Sequence, residues 1–275
     1  MEKIRLMISG IPGSMAATVA RHALSDERFE VLPMVLTGPE ISAATHDIDG
    51  VTFELVRPNH RGEAVAKIKQ KFGPVLVVDF THPSAVNDNA AFFCEQGLPF
   101  VMGTTGGDRR KLNDTVAASA VPAVIAPNMA KQIVGFQAMM AFAADNFPGL
   151  FKGYTLEIRE SHQQGKADTS GTAKAMVTYF NRLGLDFAVS QIQKERDPER
   201  QRNIWGVPAE HLAGHGWHTY RLRSADGSVL FEFRHNVNGR DIYAGGTLDA
   251  AAFLAAKAAA GIRGRVYSMI DVLKG

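Results

Sequence analysis

Apolar and polar positions follow one rhythm up to about Asn128 and another beyond it, and that change predicts two domains. In the first stretch, short apolar runs at residues 4–9 (IRLMIS), 29–36, 51–55, 75–80 (VLVVDF), 99–102 and 121–126 read as buried strands. Segments with helical spacing lie between them, at 14–24, 62–71, 84–95 and 109–119. Pro33 is an awkward guest inside the second run, and 37–49 reads as loop. Strand and helix in alternation predict an α/β class, a Rossmann-like doubly wound parallel sheet.

Beyond Asn128 the texture becomes α+β. Residues 131–146 form a Met- and Phe-rich helix, 154–160 a half-exposed strand and 172–183 another helix. Two long alternating runs, 215–223 and 228–236, flank Ser224-Ala225-Asp226-Gly227, a hairpin signal. The expected organisation has three parts. A dinucleotide-binding domain covers 1–129. A substrate-binding and oligomerisation domain with an open sheet covers 130–240. The C-terminal segment, 241–275, carries an Ala-rich helix at 248–260 that packs back on the first domain. An open sheet face invites a second copy, so a homodimer or homotetramer is expected.

Composition narrows the function more than the fold. Apolar residues make up 45% and charged residues 21%, ordinary globular values. The net charge is +2 and the basic residues are scattered, which argues against a nucleic-acid or membrane surface. No run approaches the ~18 apolar residues of a membrane span, and no secretory leader is visible. The expected location is the cytoplasm, or the plastid stroma if a transit peptide has been removed. The single cysteine, Cys94, permits no internal disulfide and reads as a small buried residue on a helix.

The first strand runs into Gly10-Ile11-Pro12-Gly13, and a helix follows. A strand, a Gly-rich turn and a helix N-terminus form a phosphate cradle. The spacing here is Gly10-x-x-Gly13-x-x-Ala16, which alone is as consistent with an ordinary tight turn. Two further strand ends carry small polar loops, Asp79-Phe80-Thr81 and Gly103-Thr104-Thr105-Gly106. Open parallel sheets bind ligands at that edge. The second strand ends without an acid until Glu40, and without a base, so the reading leans to NADPH over NADH.

The densest chemistry is 160–172, ESHQQGKADTSGT. Lys166 offers a full positive charge and His162 can hold or give a proton. Ser170, Gly171 and Thr172 open a helix and suit a carboxylate. Singly, each has a bland reading: a structural His, a solvated Lys, a common helix cap. Together they point to a small anion that receives a hydride and a proton. A metal set at His211, His215 and His218 is disfavoured for want of a completing ligand, so no metal is expected. A semialdehyde dehydrogenase would need an activated Cys, which Cys94 is not. A dinucleotide-sensing regulator remains the non-enzyme alternative.

These motifs carry a resemblance. VVDFTHPSAVNDNA (77–90), FVMGTTGGDR (100–109), APN (126–128), ESHQQGKADTSGTAKA (160–175), GVPAEHLAGHGWH (206–218) and HNVNGRDIYAGGT (235–247) span nearly the whole chain. The chain resembles the 4-hydroxy-tetrahydrodipicolinate (dihydrodipicolinate) reductases, in particular their plant-type branch. The resemblance implies NAD(P)H-dependent reduction of dihydrodipicolinate to tetrahydrodipicolinate, in lysine and diaminopimelate biosynthesis. It implies His162 and Lys166 as catalytic groups, Lys166 being the principal proton donor and substrate contact. Ser170, Gly171 and Thr172 would hold a ring carboxylate of this small dicarboxylate. The cofactor would be lined by Gly10, Ile11, Pro12, Gly13, Ser14 and Met15, by Asp79, Phe80 and Thr81, by Gly103, Thr104 and Thr105, and by Pro127, Asn128 and Met129. Arg240 matches a family arginine near the hinge between domains. Three departures stand out. Ser14 replaces the usual basic residue, Gln163 replaces a second histidine, and the segment between Asp168 and Ser170 is one residue short of the common bacterial form.

Overall fold

The computed structural model describes residues 2–275. The chain divides into two compact units. One runs up to Val134 and resumes over Asp241–Gly275; the other is Gly135–Arg240.

The first unit is built on nine strands: β1 (Ile4–Ser9), β2 (Phe29–Val31), β3 (Met34–Leu36), β4 (Thr45–Ile48), β5 (Val51–Val56), β6 (Leu76–Asp79), β7 (Phe100–Met102), β8 (Ala123–Ile125) and β13 (Val266–Tyr267). Their order is β13-β8-β7-β6-β1-β3-β5-β4, with β2 also on β1. All pairs are parallel except β4 with β5. The single run expected over 29–36 is broken into β2 and β3 around Pro33, which has no N–H for the ladder. Part of the expected 37–49 loop is the antiparallel edge strand β4.

Helices α1 (Ser14–Leu24), α2 (Arg61–Phe72), α3 (Val86–Glu95), α4 (Arg109–Ala117), α8 (Asp241–Ala259) and α9 (Met269–Lys274) belong to this unit. Val19, Ala20 and Ala23 of α1 share one core cluster with Leu6 and Ile8 of β1 and with Ala244, Leu248, Ala251 and Leu254 of α8. The small alanines let α8 lie close to its neighbours, and Arg28 and Lys131 both pair with Asp249 at its side. On the opposite sheet face, Phe93, Phe100 and Leu112 centre a second cluster that α2, α3 and α4 cover.

The second unit contains most of α5 (Lys131–Asn146), then β9 (Thr155–His162), α6 (Gly171–Arg182), β10 (Gln193–Glu195), the one-turn helix α7 (Pro198–Arg200), β11 (His215–Arg223) and β12 (Leu230–Asn238). Its sheet order is β10-β9-β11-β12. β10 runs parallel to β9, and the other pairs are antiparallel. Alternation sorts each strand into two faces. Ile158, Tyr220 and Leu222 turn inward against Met176, Phe180 and Met140. Glu157, Arg159, Thr219, Arg221, Glu232 and Arg234 have the opposite parity and cover the polar face.

Candidate active site

The first unit supplies a nucleotide-type cradle. Gly10 has φ +113°, and a Cβ there would stand 2.1 Å from the Phe80 carbonyl oxygen, so only glycine fits. Thr37 donates to the Ile11 carbonyl at 2.6 Å and fixes the loop against the end of β3. α1 then starts at Gly13 with no side-chain cap and no acid in its first turn. Its first N–H groups have no intrahelical acceptor, and its N-cap Gly13 lines an open groove of about 900 Å³. Gly10, Ile11, Pro12, Gly13, Phe80 and Thr81 line that groove, together with Glu40, Arg61 and His82.

Several expected cofactor residues are not among those that line this groove. Asp79 is fully buried. It accepts from Thr104 at 2.9 Å, Thr81 at 3.0 Å and Asn89 at 2.9 Å, while Thr104 Oγ1 accepts from the Thr81 amide at 2.8 Å. Burial pushes its carboxyl pKa up, against those hydrogen bonds. Asp79 therefore ties two loops together rather than lining the groove. Ile11 and Met129 are core side chains at 0% and 2% exposure, so only their backbone can meet a ligand. Ser14, Met15, Gly103, Thr105, Pro127 and Asn128 are outside the groove lining as well. Arg240 is an exposed residue at the end of the second unit, beside Gly214. Glu40, the acid that seemed too distant, does line the groove; the second-strand end is less neutral than expected.

The second unit concentrates imidazoles at the inward face of its sheet. Register brings Glu160 of β9, His218 of β11 and His235 of β12 into one cross-strand row. His162 lies in the next row, opposite Gly216. A Cβ on Gly216 would come 3.0 Å from His162 Cε1, so this glycine makes room for the ring. His162 Nδ1 is 3.0 Å from the His215 carbonyl, which can only accept, so Nδ1 carries the hydrogen. The bare Nε2 faces His218 Nε2 at 3.4 Å. Burial, followed by the Arg196 charge, lowers the His162 pKa to about 4. Burial, followed by the charge on His235, lowers His218 well below its ordinary value. His162 is a neutral imidazole with both nitrogens occupied.

Lys166 stands in the loop after β9, its Nζ 2.7 Å from the exposed Asp168. Ser170 is the N-cap of α6, yet its side chain makes no capping bond. Its amide instead donates to Glu160 Oε2 at 3.0 Å. Gly171 is exposed, and Thr172 half-buried, on the first turn of α6. The loop thus presents one ammonium and an uncapped helix N-terminus, a fit for a carboxylate.

Ligand atoms of Glu160, His162 and His218 lie within 4.8 Å of one another, a donor set of the kind that holds a divalent ion. The Glu160 oxygens are already taken, one by Arg196 at 2.5 Å and one by the Ser170 amide. The spacing set His211, His215 and His218 does not converge. His215 and His218 are three apart on β11 and face opposite sides; His215 Nε2 binds Ser161 at 2.8 Å.

Arg196 and His235 escaped the reading of the sequence, and His218 was weighed only as a metal ligand. Two-residue alternation along β9 does place Glu160 and His162 on one face, a signal that was available. Arg196 had none, since its partners lie about 30 positions upstream.

Residues 4–129 match the family description "Dihydrodipicolinate reductase, N-terminus", and residues 133–273 match "Dihydrodipicolinate reductase, C-terminus". The chain is 45% identical over 271 residues to the chloroplastic 4-hydroxy-tetrahydrodipicolinate reductase 2 of Arabidopsis thaliana, covering 98% of this chain and 77% of that one. It is 31% identical over 281 residues to the 4-hydroxy-tetrahydrodipicolinate reductase of Rubrobacter xylanophilus, covering 98% of each. Among solved structures, a dipicolinate-bound dihydrodipicolinate reductase from Paenisporosarcina sp. TG-14 shares the fold at TM-score 0.68 and 19% identity, over 97% of this chain and 98% of that one. None of the described helices is long and apolar enough to cross a membrane. Matches to both halves of one reductase, with a relative 45% identical over 98% of this chain, lead to a single assignment: the chain belongs to the dihydrodipicolinate reductase family.

Proposed function

We propose that this chain uses a reduced nicotinamide dinucleotide to convert dihydrodipicolinate, or its hydrated form 4-hydroxy-tetrahydrodipicolinate, to tetrahydrodipicolinate in lysine and diaminopimelate biosynthesis. The observation that carries the reading is the Lys166–Thr172 loop, where an ammonium stands four residues from an uncapped, Glu160-anchored helix N-terminus. The ring carboxylate takes the amides of Gly171 and Thr172 and the freed Ser170 hydroxyl. When bound, the nucleotide would supply a hydride to the conjugated imine, which the hydrated form gives by loss of water. Lys166 delivers the matching proton from its Nζ, held beside Asp168. His162, neutral and tied at both nitrogens, shapes the wall behind that proton donor instead of giving up a proton itself.

The residues from Gly10 to Met15, at the N-terminus of α1, would hold the nucleotide pyrophosphate, with the Ser14 hydroxyl in place of a charge. Thr81, Thr105 and the backbone at 127–129 would border the nicotinamide arm, and Arg240 would add a positive charge at the end of the second unit. NADPH is the preferred nucleotide, through Arg61 in the groove; Glu40 favours a free ribose hydroxyl and keeps NADH usable. The enzyme works as a homo-oligomer in an aqueous compartment, the cytoplasm or, as the chloroplastic relatives suggest, the plastid stroma. A dinucleotide sensor has no use for the Lys166 loop, and that reading is set aside.

The test is loss of nicotinamide absorbance with freshly generated dihydrodipicolinate and either nucleotide. Lys166→Ala should lower kcat by roughly 10²–10⁴-fold while nucleotide binding is unchanged. Full turnover by that variant would overturn the mechanism.

A further inference from the structure

We propose that Arg196 is the positioning residue of this active site, clamping the proton-donor loop to the sheet so that Lys166 and the α6 N-terminus hold their relative places. This rests on the reading of Lys166 and Ser170 given above.

Arg196 follows β10, which pairs with β9 in the register Lys194↔Glu160 and Glu195↔Ser161. Its side chain is 18% exposed. All three guanidinium nitrogens are used. Nε donates to the Lys166 carbonyl at 2.7 Å, and Nη1 to the Glu195 carbonyl at 2.9 Å. Nη2 donates to Glu160 Oε1 at 2.5 Å, with a longer contact to the Asp168 carbonyl at 3.3 Å. Glu160 is fully buried, and its other oxygen takes the Ser170 amide. One planar fork thus grips the loop at Lys166 and Asp168 directly, and at Ser170 through Glu160. Backbone atoms of the proton donor and of the carboxylate site are referred to the same rigid group.

A lysine could not do this. An ammonium would neutralise Glu160, but it is a compact point charge without the planar fork that reaches three separate carbonyls. The distinction separates positioning from simple charge compensation. Compensation of a buried carboxylate predicts that Arg196→Lys restores everything. Positioning predicts that it restores the fold only, because a displacement of about 1 Å near reacting groups costs on the order of 100-fold in rate.

Three variants decide the matter: Arg196→Lys, Arg196→Met, and Glu160→Gln with Arg196→Met. The double variant removes both buried charges, so it stays informative if Arg196→Met does not fold. Thermal melting, fluorescence titration with reduced nucleotide, steady-state kinetics and amide hydrogen exchange over 163–172 are measured for each. Arg196→Lys should melt near the wild type and bind nucleotide normally. Its kcat should fall at least tenfold, and the 163–172 amides should exchange faster without substrate. The folded double variant should show the same exchange and a deeper loss of kcat, about 100-fold. Wild-type kcat and KM in Arg196→Lys, or unchanged loop exchange in either folded variant, would overturn the proposal. Inactivity of the wild type on dihydrodipicolinate would instead sink the reading of the substrate, while the exchange result would still judge the clamp.

Discussion

His162 has its character set by the atoms around it, and so do its neighbours. Glu160, Arg196 and Lys166 face it from β9, the end of β10 and the loop; His218 and the His215 carbonyl face it from β11, and His235 from β12. Burial holds the His162 and His235 pKa values at about 4, and His218 is also depressed. In the unfolded chain the same imidazoles take a proton near 6.5. Between pH 6.5 and 4 the unfolded state therefore binds more protons. Stability should be constant above about pH 7 and should fall as the pH drops toward 4. One imidazole contributes on the order of 3 kcal/mol, less where two are coupled. Urea midpoints at pH 7.5 and 5.0 check this, and His235→Gln should shrink the difference; a midpoint independent of pH would show that the cluster is open to water. The sequence made Lys166, Ser170 and Thr172 legible because they are close together in the chain. It could not show that Asp79 is a buried tie or that Met129 is a core side chain, since both depend on which face the fold covers.

At the scale of elements, β11 shows how a strand serves two masters. Its alternation gives Trp217 and Thr219 to the polar face and Gly216, His218 and Tyr220 to the inner one. Gly216→Ala would press a methyl against the His162 ring. The ring must shift by a few tenths of an ångström, and the bond from Nδ1 to the His215 carbonyl lengthens. The expected result is a three- to tenfold loss in kcat, roughly the effect of slight misplacement, with nucleotide affinity unaltered. Equal turnover would mean that the ring has slack. The 215–223 run was readable to the residue because its period of two is unbroken and a turn follows it. β4 was not, because it is a short polar edge strand, and the one signal for it was the Asp49-Gly50 turn that joins it to β5.

For the molecule as a whole, the second unit leaves an unusual amount of apolar surface in water. Met139, Phe142, Phe147 and Leu150 are 52–64% exposed, and Leu230 and Phe231 are 49% and 43% exposed. β12, nine residues long, is an unpaired edge of its sheet. Such features are expected to be covered by another copy of the chain. Light scattering after size exclusion should give a dimer or tetramer, and Phe142→Glu with Leu230→Glu should move the mass to the monomer. A monomeric wild type at micromolar concentration would refute this. The doubly wound class was legible from the strand–helix alternation alone. The expectation of an assembly rested in the sequence on the two long runs alone, because exposure belongs to the folded surface.

The return of α8 to the first unit has a consequence for biosynthesis. Ala244, Leu248, Ala251 and Leu254 complete a core that Leu6, Ile8 and Val19 begin. A ribosome delivers those two sets at opposite ends of translation. The nucleotide unit must wait, one wall bare, while the whole of the second unit emerges and folds. Chains that end at Arg240 and are released from the ribosome should therefore be sticky, chaperone-bound species with a folded second half and an unfinished first.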